Sequence, residues 1–245
     1  MKALNAVVSI QNSSASGECG SNAWCSECLF GSLSSRGGQG CQKIDHAHLE
    51  MDSGETLFRR QDSFRSVFVI CAGAVKTQRV MPDGDLLVTG VWLPGDIVGL
   101  DGLGGNQHEF DAVATKPSRV VRLSVGQLLK ACTQDTAINA WFTQRLGHLL
   151  RRKVTDQAWA KGLQSNERIL RFFLDLHERM YQGDSDTLIE GELPMPKQDI
   201  ARYLNMAPET LSRNLSSLRR KRLLVITKTH FAVPDVAQAR LVTQL

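Results

Sequence analysis

The chain has 245 residues, of which 42% are hydrophobic and 22% are charged, and its formal net charge is +4. This length is sufficient for one large or two ordinary domains with a hydrophobic core, so disulfide or metal staples are not required for folding. The composition excludes a long disordered chain and a fibrous protein. No apolar run approaches the roughly 18 residues of a membrane-spanning helix, so we expect a soluble protein without membrane contact.

Residues 1–43 are predicted to be an irregular leader. Ser, Gly and Asn are abundant there and hydrophobic periodicity is absent, so the leader by itself buries little apolar surface. The short apolar stretch at the N-terminus is interrupted by polar residues, and we do not expect secretion. Cysteines are therefore expected as thiols, metal ligands or redox sensors. Four of the six lie in the leader: Cys19, Cys25, Cys28 and Cys41.

The segment 44–125 has the pattern of short strands separated by turns. Several stretches are rich in β-branched and apolar residues, and Pro82 and Gly84 mark a turn between two of them. Many short strands at this spacing predict an antiparallel β-roll or small barrel. The clearest strands are expected at 67–70, 74–77, 86–92 and 118–123.

Over 126–162 the hydrophobic period becomes helical. Few turn residues interrupt 133–161, which predicts one helix of about 40 Å. A helix of that length between two domains needs a second helix to cover its apolar stripe, so we predict a homodimer seam formed by a parallel pair of such helices. The alternative is that the stripe packs on its own domain. The stripe consists of Ile138, Phe142, Leu146, Leu149, Leu150 and Val154.

The segment 163–245 predicts a winged helix-turn-helix. An amphipathic helix over 166–181, capped by Ser165, comes first. A second, short helix precedes a turn at 205–207, and Pro208 suits the first position of a third helix because its missing N–H would be unpaired there. Stretches 223–228 and 230–233 can pair as the wing. The residues expected to face inward are Ile200, Leu204, Leu211, Leu215 and Leu218.

The opposite face of the third helix is polar and basic, as expected for contact with DNA. Glu209, Ser212 and Arg213 are predicted to contact base edges in the major groove, as an acceptor, an adaptable group and a bidentate donor to guanine. Residues 197–228 contain eight cations and two anions, a net charge of +6. The alternative is an ordinary helical pair with a solvated charged face. Predicted phosphate contacts are Lys197, Arg219, Arg220 and Lys221.

The order of β-roll, long helix and winged helix-turn-helix, together with three motifs, resembles the CRP/FNR family of bacterial transcription regulators over nearly the whole chain. The motifs are Leu-Pro-Gly-Asp at 93–96, Asp-Ile-Ala-x-x-Leu at 199–204 and Glu-Thr-Leu-Ser-Arg at 209–213. The resemblance implies an α+β fold with a cyclic-nucleotide-binding-like jelly roll, and a cytoplasmic homodimer that binds palindromic double-stranded DNA and contacts RNA polymerase.

The Glu209-x-x-Ser212-Arg213 pattern is similar to the FNR branch of that family, which binds TTGAT-type half-sites. The cyclic-AMP receptor branch has Arg where Pro208 stands and Gly where Ser212 stands. Cyclic-nucleotide binders also carry a Gly-Glu pair and an Arg on a helix N-terminus for the phosphate. Residues 98–111 contain no Arg or Lys, and Asp101, Glu109 and Asp111 would repel a phosphate. We therefore do not expect a cyclic nucleotide.

The oxygen sensor of the FNR branch holds a [4Fe–4S] cluster through three leader cysteines and one from the roll. Cys25-x-x-Cys28 matches the first pair, but the third expected position is Ser34 and the roll position is Val121. Cys19 or Cys41 could substitute in the leader, and Cys71 or Cys132 could be a distant partner. A cluster with Cys19, Cys25 and Cys28 among its ligands, a zinc ion or thiol switch, and no cofactor stay open as alternatives.

The sequence therefore predicts a sequence-specific transcription regulator that responds to an unidentified, redox or oxygen signal. The alternative function is an iron–sulfur or thiol-based redox sensor whose DNA binding is secondary. An enzyme is not expected, because the chain contains no nucleophile–base motif, no His-Glu-x-x-His and no paired carboxylates in a recognisable setting.

Overall fold

The computed structural model describes residues 44, 46–180 and 188–243. These residues form eleven β-strands and six α-helices, and the chain divides into two compact units between Leu149 and Leu150. Among the described helices, none has the length and apolar content needed to cross a bilayer.

Residues 46–124 of the N-terminal unit form two four-stranded antiparallel sheets, with strand orders β1-β8-β3-β6 and β2-β7-β4-β5. This arrangement confirms the predicted β-roll, and each of the four predicted strands overlaps an observed one. The turn predicted at Pro82 and Gly84 joins β4 to β5. The strands are β1 (His46–Met51), β2 (Thr56–Phe58), β3 (Ser66–Ala72), β4 (Val75–Val80), β5 (Leu86–Trp92), β6 (Ile97–Val98), β7 (Asp111–Ala114) and β8 (Ser118–Ser124).

Strand β3 is buried on both faces, which explains its continuous apolar sequence. Because successive side chains of a strand point to opposite faces, Phe68 and Ile70 pack with residues of both sheets, such as Val75 and Val120. Val67 and Val69 belong instead to a second cluster, which also includes helical side chains. The roll therefore has one core between its sheets and another beneath its helices.

Two helices follow the roll: α1 (Val125–Gln134) and α2 (Thr136–Gly162). The predicted single helix over 133–161 is therefore wrong at Asp135, whose backbone is extended, with φ −137° and ψ 111°. The Asp135 carboxylate accepts hydrogen bonds from the N–H groups of Ala137 and Ile138, at 2.9 and 3.3 Å. Asp135 thus caps α2, because a capping carboxylate satisfies first-turn N–H groups that have no partner within the helix.

The apolar stripe of α2 is only partly available to a second helix. Ile138 and Phe142 are buried in the core beneath the helices, with Leu146 and Leu149 packed partly against it. The predicted dimer seam is therefore wrong at Ile138 and Phe142, because the apolar face of the roll covers these two side chains. Leu150 and Val154 are 67% and 59% exposed and retain the seam prediction.

In the described part of the C-terminal unit, four helices follow the end of α2, and three strands form an antiparallel sheet of order β10-β11-β9. The predicted wing is confirmed, with Val225 opposite Ala232, whereas the third strand of the sheet was not predicted. The elements are α3 (Ser165–Met180), β9 (Ile189–Glu192), α4 (Lys197–Tyr203), α5 (Pro208–Arg220), β10 (Val225–Ile226), β11 (His230–Val233) and α6 (Val236–Val242).

The start of α3 differs by one residue from the prediction. Ser165 is itself the first helical residue rather than the cap. The carboxylate of Glu167 accepts a hydrogen bond from the Gln164 N–H at 2.8 Å, which is the bond that a glutamate at the third helical position makes to the capping residue. Gln164 therefore occupies the capping position.

The turn between α4 and α5 is set by Asn205, whose φ of 50° lies in the left-handed region. The Met206 N–H donates to the Ala201 carbonyl at 3.0 Å, and the Asn205 N–H donates to the Arg202 carbonyl at 3.2 Å. These two bonds form a Schellman motif, which ends a helix with one left-handed residue. Asn tolerates that conformation better than other non-glycine residues because its short amide bonds locally.

We expect Asn205→Ala to lower the free energy of unfolding by about 1 kcal/mol, because a Cβ without a compensating amide strains the left-handed backbone. Asn205 is exposed, so its side chain contributes little packing. The matched variant Asn205→Gly should leave stability nearly unchanged, because glycine adopts this conformation without strain. Urea denaturation followed by circular dichroism measures both values, and equal losses in the two variants would contradict the assignment.

Candidate nucleic-acid interface

Helices α4 and α5 pack through a small apolar contact. Ile200 and Ala201 on α4 and Leu211 and Leu218 on α5 are buried, and Ala201 has no exposed surface. An alanine at a helix crossing allows the two backbones to approach closely. Leu204 and Leu215, which were also predicted to face inward, are only half-buried.

The contact turns the polar face of α5 outward. Glu209, Ser212 and Arg213 are all exposed on the first two turns of the helix. Their exposure follows from the helical period, because Leu211 and Leu218 are two turns apart and point to the opposite side. The hydroxyl of Ser216, one turn further, donates to the Ser212 carbonyl at 3.0 Å. The structure thus brings the three predicted base-contacting residues onto one accessible surface.

The predicted phosphate-contacting cations are also exposed. They form no salt bridge with another residue of the described ranges, so their charge is not neutralised locally. Arg202 differs, because its guanidinium donates to the Asp199 carboxylate at 3.2 Å. The cations in question are Lys197 at the start of α4 and Arg219, Arg220 and Lys221 at the end of α5.

Lys228 is a further exposed cation that the predicted site set omits. It lies in the turn between β10 and β11, where the Thr227 hydroxyl accepts from the His230 N–H at 3.0 Å. Its position between two pairing strands of the wing was the available sequence signal. Lys228 therefore extends the basic surface to the tip of the wing.

A polar contact connects α4 to the end of α2 within the C-terminal unit. The Tyr203 hydroxyl donates a hydrogen bond to an Asp156 carboxylate oxygen at 3.0 Å. Burial raises the pKa of Tyr203 well above its ordinary value, and the Asp156 charge raises it further. Burial also raises the pKa of Asp156, although the Tyr203 hydrogen bond opposes this effect. The two residues are 47 positions apart, and no sequence signal indicated the contact.

Residues of the roll that follow the Leu-Pro-Gly-Asp turn do not fit a cyclic nucleotide. The Asp101 carboxylate accepts from the Glu109 N–H at 2.8 Å and lies 3.3 Å from Nδ1 of His108. The His108 ring is buried and stacks on Phe58, with 3.8 Å between ring centroids. Asp101 and His108 thus pair with each other and with Phe58, and residues 98–111 offer no cation for a phosphate.

The described residues also do not fit the [4Fe–4S] ligand set that the resemblance implies. Val121, at the roll position, is buried in the core beneath the helices, and Cys71 and Cys132 pack against the same cluster. Burial raises the pKa of the Cys132 thiol and so disfavours the thiolate that metals require. In the described ranges, no group of three or more His, Cys, Asp or Glu residues could hold a metal ion. The leader candidates Cys19, Cys25 and Cys28 lie outside these ranges.

Two family models match the chain, one in each unit. A cyclic nucleotide-binding domain model matches residues 48–135. A Crp-like helix-turn-helix domain model matches residues 167–238, which include all three predicted base-contacting residues. The order of the two matches is the order of the β-roll and the winged helix-turn-helix along the chain.

Characterised relatives are similar over most of their length. The transcriptional regulatory protein btr of Bordetella pertussis is 28% identical over 220 residues, which cover 87% of this chain and 90% of the relative. The nitrogen fixation regulation protein FixK of Bradyrhizobium diazoefficiens is 28% identical over 88% and 92% of the two chains. The transcriptional activator protein FnrA of Stutzerimonas stutzeri is 29% identical over 71% of each.

Solved structures share the fold at lower sequence identity. FixK2 from Bradyrhizobium japonicum superposes with a TM-score of 0.72 at 22% identity, covering 81% of this chain and 97% of that one. A CRP-family transcriptional regulator from Thermus thermophilus gives a TM-score of 0.65 at 23% identity, covering 80% and 96%. These likenesses support the architecture of roll, long helix and helix-turn-helix.

Proposed function

Because this chain belongs to the CRP/FNR family of transcription regulators, we propose that it binds a TTGAT-like palindrome in double-stranded DNA as a homodimer. The family consists of transcription regulators, not enzymes, and the C-terminal unit carries its DNA-binding helix-turn-helix. The observation that carries the proposal is the joint exposure of Glu209, Ser212 and Arg213 on one face of α5.

Each of these three side chains has a distinct proposed role at the base edges. The Arg213 guanidinium donates two parallel hydrogen bonds to guanine, which is the commonest specific contact in the major groove. The Glu209 carboxylate accepts from a cytosine amine, and the Ser212 hydroxyl acts as donor or acceptor. All three lie near the N-terminal end of α5, the part of a recognition helix that contacts bases.

The cations around this face are proposed to hold the protein in register on the phosphates. Lys197 precedes the turn, and Arg219, Arg220 and Lys221 end the recognition helix. Phosphate contacts contribute affinity but carry no sequence information. Because each neutralised phosphate releases counterions, binding should weaken steeply as salt concentration rises.

We expect Arg213→Ala to lose roughly 1–3 kcal/mol of discrimination at one G·C pair, because the bidentate contact to guanine disappears. Gel-shift titrations of the palindrome and of a variant altered at that base pair measure this quantity. Retained discrimination in the mutant would contradict the role of Arg213, and wild-type binding that is indifferent to sequence would contradict the proposed function.

Lys221→Ala is the matched control. Like Arg213, Lys221 is an exposed cation, but it lies at the C-terminal end of α5, away from the base-contacting residues. It should weaken binding to both DNA sequences equally and reduce the slope of log affinity against log salt by about 1. Selective loss on one of the two sequences would place Lys221 among the base-contacting residues instead.

The proposed dimer seam consists of Leu150 and Val154 on α2. They are four residues apart and therefore lie on one helix face, where both are largely exposed. A parallel helix from a second copy would cover them. RNA polymerase is the proposed partner of the DNA-bound dimer, and the cytoplasm its proposed location, because the relatives are bacterial transcription regulators.

Replacing Leu150 and Val154 together by Asp should convert the dimer to a monomer, because two charges per helix would be buried in the seam. Light scattering after size-exclusion chromatography measures the mass, and affinity for the palindrome should fall with it. Leu241→Asp provides the control, since Leu241 is 70% exposed on α6 and its replacement should leave the mass unchanged. A double variant that stays dimeric would contradict this seam.

A redox-sensing function is the second candidate, and it depends on the leader. The pair Cys25-x-x-Cys28 and the nearby Cys19 have spacing suited to metal or thiol chemistry. The cysteines of the described ranges, Cys71 and Cys132, pack against the core and are poorly placed for it. A cyclic nucleotide is not proposed, since residues 98–111 contain no Arg or Lys and the Asp101 carboxylate would repel a phosphate.

If the leader binds an iron–sulfur cluster, protein purified without oxygen should absorb visible light and contain iron and sulfide, and Cys25→Ser should reduce all three. Cys71→Ser is the control and should not change them. Colourless, iron-free protein that still binds DNA in air would contradict the cluster. A change in DNA affinity on adding oxidant to such protein would support a thiol switch.

A further inference from the structure

We infer that Tyr203 and Asp156 form a positioning pair that fixes the recognition helix α5 relative to the end of α2, and thereby restricts the half-site spacing that the dimer accepts. This inference rests on the proposed function, since it concerns how a dimer places two copies of α5. It is carried by the contact between α4 and the part of α2 within the C-terminal unit.

Tyr203 is mechanically connected to the base-contacting face of α5. Tyr203 is the last residue of α4, and the Schellman motif at Asn205 links it directly to α5. Helices α4 and α5 are in contact and Ala201 is fully buried, so the two helices have little room for relative movement. A displacement of Tyr203 therefore moves Glu209 and Arg213 with it.

The hydrogen bond between Tyr203 and Asp156 anchors α4 to α2. The Tyr203 hydroxyl donates to the Asp156 carboxylate at 3.0 Å, and the tyrosine ring lies against Phe172 of α3, with 5.6 Å between ring centroids. Hydrogen bonds to a charged group are stronger than neutral ones and depend steeply on distance and angle. Apolar contacts allow sliding, whereas this bond specifies one position.

A second contact supports the same face of α2. The Arg171 guanidinium of α3 lies 3.9 Å from the centroid of the Trp159 ring, and the Arg171 side chain is only 10% exposed. Trp159 follows Asp156 by three residues and so lies on the same side of the helix. Asp156 and Trp159 together hold the end of α2 against α3 and α4.

The last turns of α2 have two different faces. At about 100° per residue, Leu150 and Val154 point away from the side that carries Asp156 and Trp159. One face is exposed and available to a second protomer, and the other contacts the DNA-binding elements. The helix therefore connects the proposed seam directly to Tyr203. In a dimer of this kind, the two recognition helices contact half-sites about 34–36 Å apart.

The decisive variant is Tyr203→Phe, which removes one hydroxyl and keeps the ring against Phe172. Affinities are measured by gel shift for palindromes whose half-sites have the preferred spacing or are moved apart or together by one base pair. We expect the preference of the wild type for one spacing to fall by about tenfold in the variant, the equivalent of one hydrogen bond to a charged group. Discrimination at the G·C pair should be unchanged.

Two controls separate positioning from general stability. Asp156→Asn keeps a carbonyl oxygen that accepts from Tyr203, so it should retain most of the spacing preference. Thr243→Val removes another buried hydroxyl of the same unit, which donates to the Ala239 carbonyl at 3.0 Å, and it should leave the preference unchanged. Tyr203→Phe and Asp156→Ala should not be additive when combined, because both remove the same bond.

A measurement without DNA tests the anchor independently. Hydrogen exchange of the α4 amides should be faster in Tyr203→Phe than in the wild type, with α6 unchanged. Unchanged exchange in α4, or an unchanged spacing preference in a variant that still binds DNA, overturns the inference. Wild-type protein that binds no palindrome contradicts the proposed function instead, and the exchange result then decides whether the pair anchors α4.

Discussion

The apolar contact between α4 and α5 is the constraint on which the DNA-binding unit depends. Ala201 has no exposed surface, and Leu211 and Leu218 on α5 are buried as well. Because a helix has a fixed angular period, burying these leucines necessarily presents Glu209 and Arg213 to the outside. The position of the polar surface is thus a consequence of the core, and a larger residue at Ala201 would disturb the core and the surface together.

The long helix α2 packs against different parts of the structure at its two ends. Its first turns complete the core of the roll through Ile138 and Phe142, whereas its last turns hold α3 and α4 through Trp159 and Asp156. The exposed leucine and valine between them lie on a different face. In the proposed dimer, the last turns of this helix would carry both the seam residues and the contact with α4.

The roll has the frame of a cyclic nucleotide-binding domain, but residues 98–111 contain no Arg or Lys. The strands and the Leu-Pro-Gly-Asp turn retain the geometry of a cyclic nucleotide-binding domain. Between 98 and 111, however, a buried His108 stacks on Phe58 and faces the Asp101 carboxylate. A phosphate needs donors and positive charge, and these residues supply an aromatic packing site and an acceptor instead. The fold by itself therefore does not identify a ligand.

The sequence by itself determined the features that depend on local periodicity: the strands of the roll, the wing hairpin, and a helix beginning at Pro208 with an exposed polar face. Turn chemistry and the periods of strands and helices are properties of neighbouring residues. Only the tertiary structure decided that Ile138 is buried while Leu150 is exposed, that Asp135 divides the helix, that β9 completes the wing sheet, and that Tyr203 meets Asp156. Equally apolar positions on one stripe differ in burial only through what packs against them, and a contact across 47 residues leaves no periodic trace in the chain.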